Sequence, residues 1–276
     1  MSICSIEEVA KKTAKPFWFQ LYVMRDHDFA KRLVERAKAA ECSALVLTLD
    51  LQILGQRHAD IRNGLSVPMK IKMSNVFDLI SKPNWCFEMA RSKNRTFGNI
   101  MGHVKDIKNL TSLTKWVQSQ FDPKLNWDDV KRIKDWWGGK LIIKGIMDPD
   151  DAKMAQKCGA DAVVVSNHGG RQLDGVNSTI STLPEIKKAV SNIDVLMDGG
   201  ISSGQDILKA IAMGAEGVMI GRSFVYGLSA GGKEGVAKSL EILNKELDMT
   251  MALCGRRDIK DVGRDIIKDC PFFEKN

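Results

Sequence analysis

The chain repeats one pattern, in which a short apolar segment is followed by a segment with apolar residues at helical spacing. Strands buried on both faces carry near-continuous aliphatic runs, and strands that alternate with amphipathic helices pair in parallel. The pattern therefore predicts an α/β fold with a parallel sheet, either open or closed into a barrel. The six predicted strands lie at about 17–23, 44–50, 140–146, 160–167, 194–200 and 217–222.

Composition limits the kinds of protein this chain can be. Its 276 residues carry 41 basic and 34 acidic side chains, a formal charge of +7. Because the basic residues are scattered and no binding motif accompanies them, the charge favours an anionic cofactor, an anionic substrate or a membrane surface over nucleic acid. The 6 cysteines form no C-x-x-C pair, which favours reduced thiols in a cytoplasmic protein over disulfides. We expect no metal site and no spanning helix, because neither a ligand cluster nor a sufficiently long apolar run is present.

The loop after the fourth predicted strand places a titratable base beside a permanent cation. Residues 166–175 read S-N-H-G-G-R-Q-L-D-G, and the two glycines allow a sharp turn after the histidine. An imidazole can take a proton near neutral pH, and a guanidinium binds a carboxylate through two hydrogen bonds. We therefore predict His168 as a catalytic base and Arg171 as the clamp for a substrate carboxylate. For an isolated H-x-x-R, a solvated surface turn is the alternative.

Glycines also end the last two predicted strands. Asp198, Gly199 and Gly200 follow the fifth strand, and Gly221 and Arg222 follow the sixth. In barrels the loops after the last two strands commonly bind a phosphate through backbone N–H groups, which glycine leaves accessible. These residues predict a phosphate site, with glycines that serve only tight turns as the alternative.

Polar side chains occupy alternate positions on otherwise apolar strands, where they are costly unless they meet partners or a ligand. We expect Asp50 to orient His168 and to stabilise its protonated form, as a carboxylate does in a catalytic triad. Lys144 ends the third strand, where a cation would stabilise negative charge on a flavin ring, although a snorkelling lysine is the alternative. The alternating residues of the first two strands are Gln20, Tyr22, Thr48 and Asp50.

The connection at about 51–139 is far longer than an ordinary strand-to-helix unit, and five of the 6 tryptophans lie in it. Long excursions in compact domains are usually functional. The connection predicts a lid or a partner surface, and an additional helical subdomain is an equally open interpretation.

Five motifs together resemble the FMN-dependent 2-hydroxy-acid dehydrogenase and oxidase family. They are I-E-E-V-A, W-F-Q-L-Y-V-x-R-D, K-G-I-x-D-P-x-D-A, T-M-A-L-C-G and the S-N-H-G-G-R-Q-L-D-G loop, and they span the chain. The resemblance implies a (β/α)8 TIM barrel of the FMN-linked oxidoreductase type, forming one domain over residues 1–276, and often a tetramer. It also identifies the long connection with the family's variable active-site lid.

The resemblance assigns roles to the candidate residues. His168 is the base, Asp50 its partner, and the substrate contacts Arg171, Tyr22 and Arg57. The residues that contact the flavin ring are Gln20, Thr48 and Lys144, and those that hold the ribityl chain and phosphate are Asp198, Gly199, Gly200, Gly221 and Arg222.

Two departures from the family pattern affect these expectations. Family members carry further residues upstream, so we expect this chain to lack the first two βα units and some flavin contacts. The family also has an arginine near the phosphate where this chain has Ser202. We therefore expect weaker flavin affinity, with Arg222 and backbone amides left to hold the phosphate.

The resemblance predicts FMN-dependent oxidation of an L-2-hydroxy acid, lactate foremost, with electrons passed to a quinone or cytochrome of the respiratory chain. His168 takes one proton, and the remaining hydrogen leaves either as a hydride or through a carbanion. The alternatives are a glycolate-type oxidase that uses oxygen and a non-catalytic remnant. The expected location is the cytoplasm, with a peripheral contact on the inner face of the membrane.

Overall fold

The structure is a computed structural model that describes residues 2–53, 55, 57–64, 72–92, 96–104 and 110–268. In these residues the chain forms eleven α-helices and six β-strands. It divides into two compact units, residues 1–140 and 141–276, which are described separately below. The single domain predicted over residues 1–276 stays a prediction.

The first unit is built on two parallel strands, β1 (Trp18–Tyr22) and β2 (Ala44–Thr48). Every residue of β2 is buried. The register pairs Gln20 with Val46 and Tyr22 with Thr48, which puts the predicted polar residues on adjacent strands. The helices of this unit are α1 (Ile6–Lys12), α2 (His27–Ala39), α3 (His58–Arg62), α4 (Met73–Ile80), α5 (Pro83–Arg91), α6 (Leu110–Ser119) and α7 (Trp127–Trp137).

Helix α2 follows its sequence pattern closely. It begins where the Asp26 side chain accepts a hydrogen bond from the Phe29 amide at 2.8 Å, a typical N-cap. The predicted apolar stripe Phe29, Leu33, Val34 and Ala37 is buried. The long connection at 51–139 is largely helical in its described part, because α3 to α7 all lie in it.

The second unit alternates strands and helices throughout, and neighbouring strands from β3 to β6 pair in parallel. This arrangement confirms the α/β prediction. The third predicted strand ends at Ile146 as predicted, whereas the fourth, fifth and sixth end at Val165, Met197 and Val218, which is earlier than predicted. The elements are β3 (Leu141–Ile146), α8 (Pro149–Lys157), β4 (Ala162–Val165), α9 (Thr179–Ala189), β5 (Asp194–Met197), α10 (Gly204–Ala212), β6 (Gly217–Val218) and α11 (Arg222–Leu253).

Helix α10 is fixed directly against α11. The Gly204 amide donates to Glu246 Oε2 at 2.9 Å, and a Cβ at Gly204 would lie 2.1 Å from the Leu247 nitrogen. Only glycine therefore fits at this position. The contact fixes the N-terminus of α10, and with it the loop that follows β5.

An ion pair with additional hydrogen bonds connects α1 to α2 in the first unit. Arg36 donates through Nε and Nη2 to the two carboxylate oxygens of Glu7, both at 2.7 Å. Arg36 Nη2 also donates to Asn99 Oδ1 at 2.9 Å, and the same oxygen accepts from the Ile6 amide at 3.0 Å. The hydrogen bond from Arg36 lowers the pKa of Glu7 from its ordinary 4.5 to about 2.

We expect Glu7→Gln to lower the free energy of unfolding at pH 7 by about 1 kcal/mol, a discounted figure because solvent screens the half-exposed pair. A lowered pKa means that this stabilisation is complete above pH 4.5 and is lost as the pH falls towards about 2. Denaturant unfolding at pH 7 and at low pH measures the effect, with the exposed Glu35→Gln as the matched control. A difference between Glu7→Gln and the parent that does not shrink at low pH would contradict the expectation.

Candidate active site

The site in the second unit begins with an irregularity in β3. Lys144 pairs with Val164 and Ile146 with Val165, so the register shifts between them and Gly145 takes a φ of +100°. Such bulges re-aim side chains and are frequent beside active sites. The Lys144 side chain is only 8% exposed, and its ammonium lies 3.1 Å from Asp198 Oδ2.

Ser166 connects this lysine to the predicted base. It follows β4 directly, is fully buried, and its hydroxyl accepts from Lys144 Nζ at 2.7 Å. The same hydroxyl accepts from the backbone N–H of His168 at 3.2 Å. The side chain of Ser166 therefore contacts both the buried cation and the turn that carries the imidazole.

The turn itself is strained at His168, whose φ is +56°. A left-handed conformation costs a residue with a Cβ about 1–2 kcal/mol. Asn167 helps to hold it, since Asn167 Oδ1 accepts from the Gly169 amide at 3.0 Å. Strain maintained by surrounding hydrogen bonds is concentrated at functional sites. His168 is half-buried and Arg171 is exposed, so the cation of this loop is open to an anionic ligand.

The loop after β5 carries an unsatisfied group. Asp198 Oδ1 is buried and has no hydrogen-bond partner among the described residues. Gly199 and Gly200 follow at φ of +83° and +78°, a conformation that favours glycine. The Thr179 hydroxyl donates to the Gly199 carbonyl at 3.1 Å and fixes the turn. Because buried polar atoms are normally hydrogen-bonded, this carboxylate oxygen favours a ligand that donates a hydrogen bond to it.

A cleft of about 560 Å³ lies beside these loops. Its lining includes Gly199, Gly200 and Arg222 from the predicted phosphate site, together with Asp206 and Lys209. Arg222 is the first residue of α11, and its Nη2 lies 3.5 Å from the Gly169 carbonyl. Two cations and several left-handed glycines, Gly199 and Gly200 among them, thus border one cavity. Gly221, the remaining predicted member, is the exposed N-cap of α11.

Ser202, which lies where the family pattern has an arginine, is hydrogen-bonded to an acidic residue. Its amide and its hydroxyl both donate to Asp206 Oδ2 at 3.0 Å, as does the Ser203 amide. Burial raises the pKa of Asp206, but these hydrogen bonds outweigh that effect and the net pKa is lowered. Asp206 is therefore a carboxylate at neutral pH, and its charge opposes anion binding at this end of the cleft.

The first unit brings three of its predicted residues together. Gln20 Nε2 donates to Thr48 Oγ1 at 2.7 Å and to the Tyr22 hydroxyl at 3.3 Å. Asp50 lies two residues beyond β2, and Arg57 precedes α3; both are half-buried. The pairing of Asp50 with His168 joins residues of different units and stays a prediction.

Sequence reasoning missed Ser166, Asn167 and Thr179 as residues that position the site. The first two lie inside the quoted loop motif, between a buried strand and two glycines. Polar side chains at such a point often hydrogen-bond to nearby backbone, which is the signal that could have identified them. Thr179 carried no comparable local signal.

The family model described as FMN-dependent dehydrogenase matches residues 1–269 of this chain. The chain belongs to the FMN-dependent dehydrogenase family. This membership, with the parallel α/β architecture, confirms the predicted fold class, the TIM-barrel type of FMN-linked oxidoreductases, of which the described residues contain six strands.

Individual relatives agree with the family. An L-lactate dehydrogenase of Actinobacillus pleuropneumoniae serotype 5b (strain L20) is 43% identical over 271 residues, which are 98% of this chain and 71% of the relative. One from Stenotrophomonas maltophilia (strain R551-3) is 43% identical over 273 residues, 98% of this chain and 72% of the relative. A crystal structure of the monotopic membrane protein (S)-mandelate dehydrogenase superposes with a TM-score of 0.90 at 34% identity, covering 97% of this chain and 70% of that one.

The residues present fit FMN, the cofactor of this family. The buried Asp198 Oδ1 offers an acceptor that nothing described in the chain satisfies. The position where Gly200 would carry a Cβ is open, so its backbone can be approached closely. Arg222 supplies a cation at the same cleft. The assignment of Lys144 to the flavin ring, and of Asp198, Gly199, Gly200, Gly221 and Arg222 to the ribityl chain and phosphate, stays a prediction.

We expect Ser166→Ala to lower the free energy of unfolding by about 1–3 kcal/mol and to weaken FMN binding, because two buried donors lose their acceptor. Denaturant unfolding and a titration of the apoprotein with FMN measure the two effects. The exposed Ser191→Ala is the matched control. If Ser166→Ala changed neither quantity more than the control, Ser166 would not position the site.

We expect Arg222→Gln to raise the FMN dissociation constant about tenfold, as the loss of one hydrogen bond to a charged group does. Riboflavin, which lacks the phosphate, should bind the variant and the parent equally. Fluorescence titration with each flavin tests this, with Lys233→Gln on the same helix as the control. Equal weakening of both flavins would place Arg222 away from the phosphate.

Proposed function

We propose that this protein oxidises L-lactate to pyruvate with FMN as its cofactor. The observation that carries the proposal is the His168–Arg171 loop, strained and held by Ser166 beside the buried Lys144–Asp198 pair. We propose lactate as the substrate in place of mandelate because the lactate dehydrogenases are 43% identical to this chain, whereas the mandelate dehydrogenase is 34% identical.

The proposed reaction removes two electrons and two protons from the substrate. Arg171 binds the lactate carboxylate through two hydrogen bonds, and Tyr22 and Arg57 complete the substrate contacts. The imidazole of His168 takes a proton from the bound hydroxy acid, and Asp50 stabilises the resulting imidazolium. FMN, when bound, would supply the acceptor for the two electrons and for the second proton that leave the substrate.

Within the chain, two groups prepare the site for this chemistry. Lys144 keeps a positive charge near the ring, where Asp198 and Ser166 fix its position. Gln20, held by Thr48, presents an amide beside the Tyr22 hydroxyl. Because these polar groups are already hydrogen-bonded, little reorganisation is required when the ligand binds.

We further propose that the electrons pass to a quinone or cytochrome of the respiratory chain, from a homotetramer that associates peripherally with the inner face of the membrane. Two observations support the membrane association: the chain carries a charge of +7, and the mandelate dehydrogenase neighbour is a monotopic membrane protein. No helix in the described residues is long and apolar enough to cross a bilayer.

Anaerobic mixing of the FMN-loaded protein with L-lactate tests the proposal, and we expect the yellow flavin absorbance to be lost. His168→Gln should slow this loss by about 10²–10⁴-fold, the usual contribution of a general base. His103→Gln is the matched control. Protein that binds FMN and stays yellow with excess lactate would refute the activity, whereas an undiminished rate in His168→Gln would refute only the role of that residue.

An oxidase that passes electrons to oxygen is the second candidate. It is favoured by the similarity to a mandelate oxidase structure, with a TM-score of 0.73 and 36% identity over 95% of this chain and 66% of that one. Stoichiometric hydrogen peroxide during aerobic turnover would select the oxidase. Protein that stays colourless with added FMN would instead favour a non-catalytic remnant.

A further inference from the structure

The cleft beside the loops after β4 and β5 carries as many negative as positive side chains. Its described lining includes four charged residues, the acidic Asp174 and Asp206 and the basic Lys209 and Arg222. A phosphate monoester adds a charge of about −1.5 to −2 at pH 7. Arg222 alone would therefore face two carboxylates as well as the phosphate, so an anionic ligand is favoured only if the second cation of the lining takes part.

Asp206 removes a further source of anion binding, because it accepts from the donors at the start of α10. The amides of Ser202 and Ser203 and the Ser202 hydroxyl all donate to Asp206 Oδ2 at 3.0 Å. Backbone amides at a helix N-terminus otherwise attract anionic ligands. Since the chain's own carboxylate already occupies these amides, a phosphate at this end of the cleft requires a donor from another group.

Lys209 lies where it can supply that donor. It follows Asp206 by three residues on α10, so the two side chains project from the same side of the helix. Helical side chains lean towards the N-terminus, which directs Lys209 towards the turn that carries Asp206. Lys209 is exposed and contributes to the lining of the cleft, whereas its neighbours Leu208 and Ala210 are buried.

The ammonium of Lys209 is available to a ligand within the described part of the chain. It makes no hydrogen bond or ion pair there, in contrast to Lys144, which is bound to Ser166 and Asp198. The helix that carries Lys209 is itself fixed, because the Gly204 amide donates to a carboxylate of α11. An available cation on a fixed helix, at a cleft with too little positive charge for a phosphate, favours an anionic ligand over a purely solvated role.

We propose that Lys209 binds the phosphate of FMN as a second cation beside Arg222. Its ammonium donates charge-assisted hydrogen bonds to the phosphate oxygens and offsets the carboxylate of Asp206. The inference rests on FMN as the cofactor and on the phosphate site predicted at this cleft, and it adds a binding residue to that site. It does not depend on which hydroxy acid is oxidised or on which group accepts the electrons.

Fluorescence titration of the full chain in its apo form, with FMN and separately with riboflavin, tests the inference. We expect Lys209→Gln to raise the FMN dissociation constant about tenfold, as the loss of one hydrogen bond to a charged group does, and to leave riboflavin binding unchanged. Lys209→Arg should keep most of the FMN affinity. Ser202→Arg added to Lys209→Gln should restore it, because residue 202 lies beside the same carboxylate. The matched control is Lys245→Gln, at an exposed lysine of α11 that does not belong to the described lining.

Three results would overturn the inference. Lys209→Gln could bind FMN as the control does, or could lose affinity for FMN and riboflavin equally. The double variant could bind riboflavin normally and recover no affinity for FMN, which would show that the missing group is not a charge at the phosphate. The parent could bind FMN no more tightly than riboflavin, in which case the phosphate contributes nothing.

These results are distinguishable from a failure of the proposed function. FMN-loaded protein that stays yellow with lactate would refute the reaction, while the comparison of the two flavins would still decide the role of Lys209. Conversely, a Lys209→Gln variant that binds FMN like the control would leave the lactate reaction untouched. A parent that binds neither flavin would refute both.

Discussion

The buried contact of the Lys144 ammonium with the Ser166 hydroxyl and the Asp198 carboxylate joins the carboxyl ends of three consecutive strands. A buried charge is stable only where it is paired and hydrogen-bonded, so each of these residues requires the others. The consequence for function is that Ser166 is held where it can accept the amide of His168 and offset the strain of that residue. The position of the proposed base therefore depends on an ion pair that it does not touch directly.

At the proposed anion-binding end of the site, backbone groups contribute more than side chains do. Gly199 and Gly200 adopt left-handed conformations, and the Gly199 turn is packed so closely that a Cβ would lie 3.2 Å from Asn167 Oδ1. Arg222 contributes positive charge, but the carboxylate of Asp206 lines the same cleft. Ser202 is bound to that carboxylate and adds no charge, so the proposed phosphate site would depend on Arg222 and on backbone amides more heavily than a site with an additional arginine.

The sequence predicted the features that depend on neighbouring residues and missed those that depend on contacts between residues far apart in the chain. Apolar runs located the six strands of the described residues, and alternation put Gln20 and Tyr22 on one side of β1, where Gln20 donates to the Tyr22 hydroxyl, because both patterns follow from the period of a strand. The bulge at Gly145 depends on pairing between strand residues 19 and 20 positions apart, and Ser166 meets Lys144 across 22 positions. No local pattern encodes such contacts. Helix α11 shows the same limit, since Leu243 is buried while Leu240, three residues earlier on the same side of the helix, is 51% exposed.

The long connection shows why composition alone could not assign its role. Its tryptophans differ in burial. Trp137 is buried and donates through Nε1 to the Lys140 carbonyl at 2.8 Å, whereas Trp85 is half-exposed. Helix α7 buries Val130, Ile133 and Trp137, and α4 and α5 bury nothing. A segment that existed only to extend the core would bury its aromatic residues throughout. The described part of the connection is therefore divided between a helix that packs into the first unit and two helices whose apolar side chains are exposed.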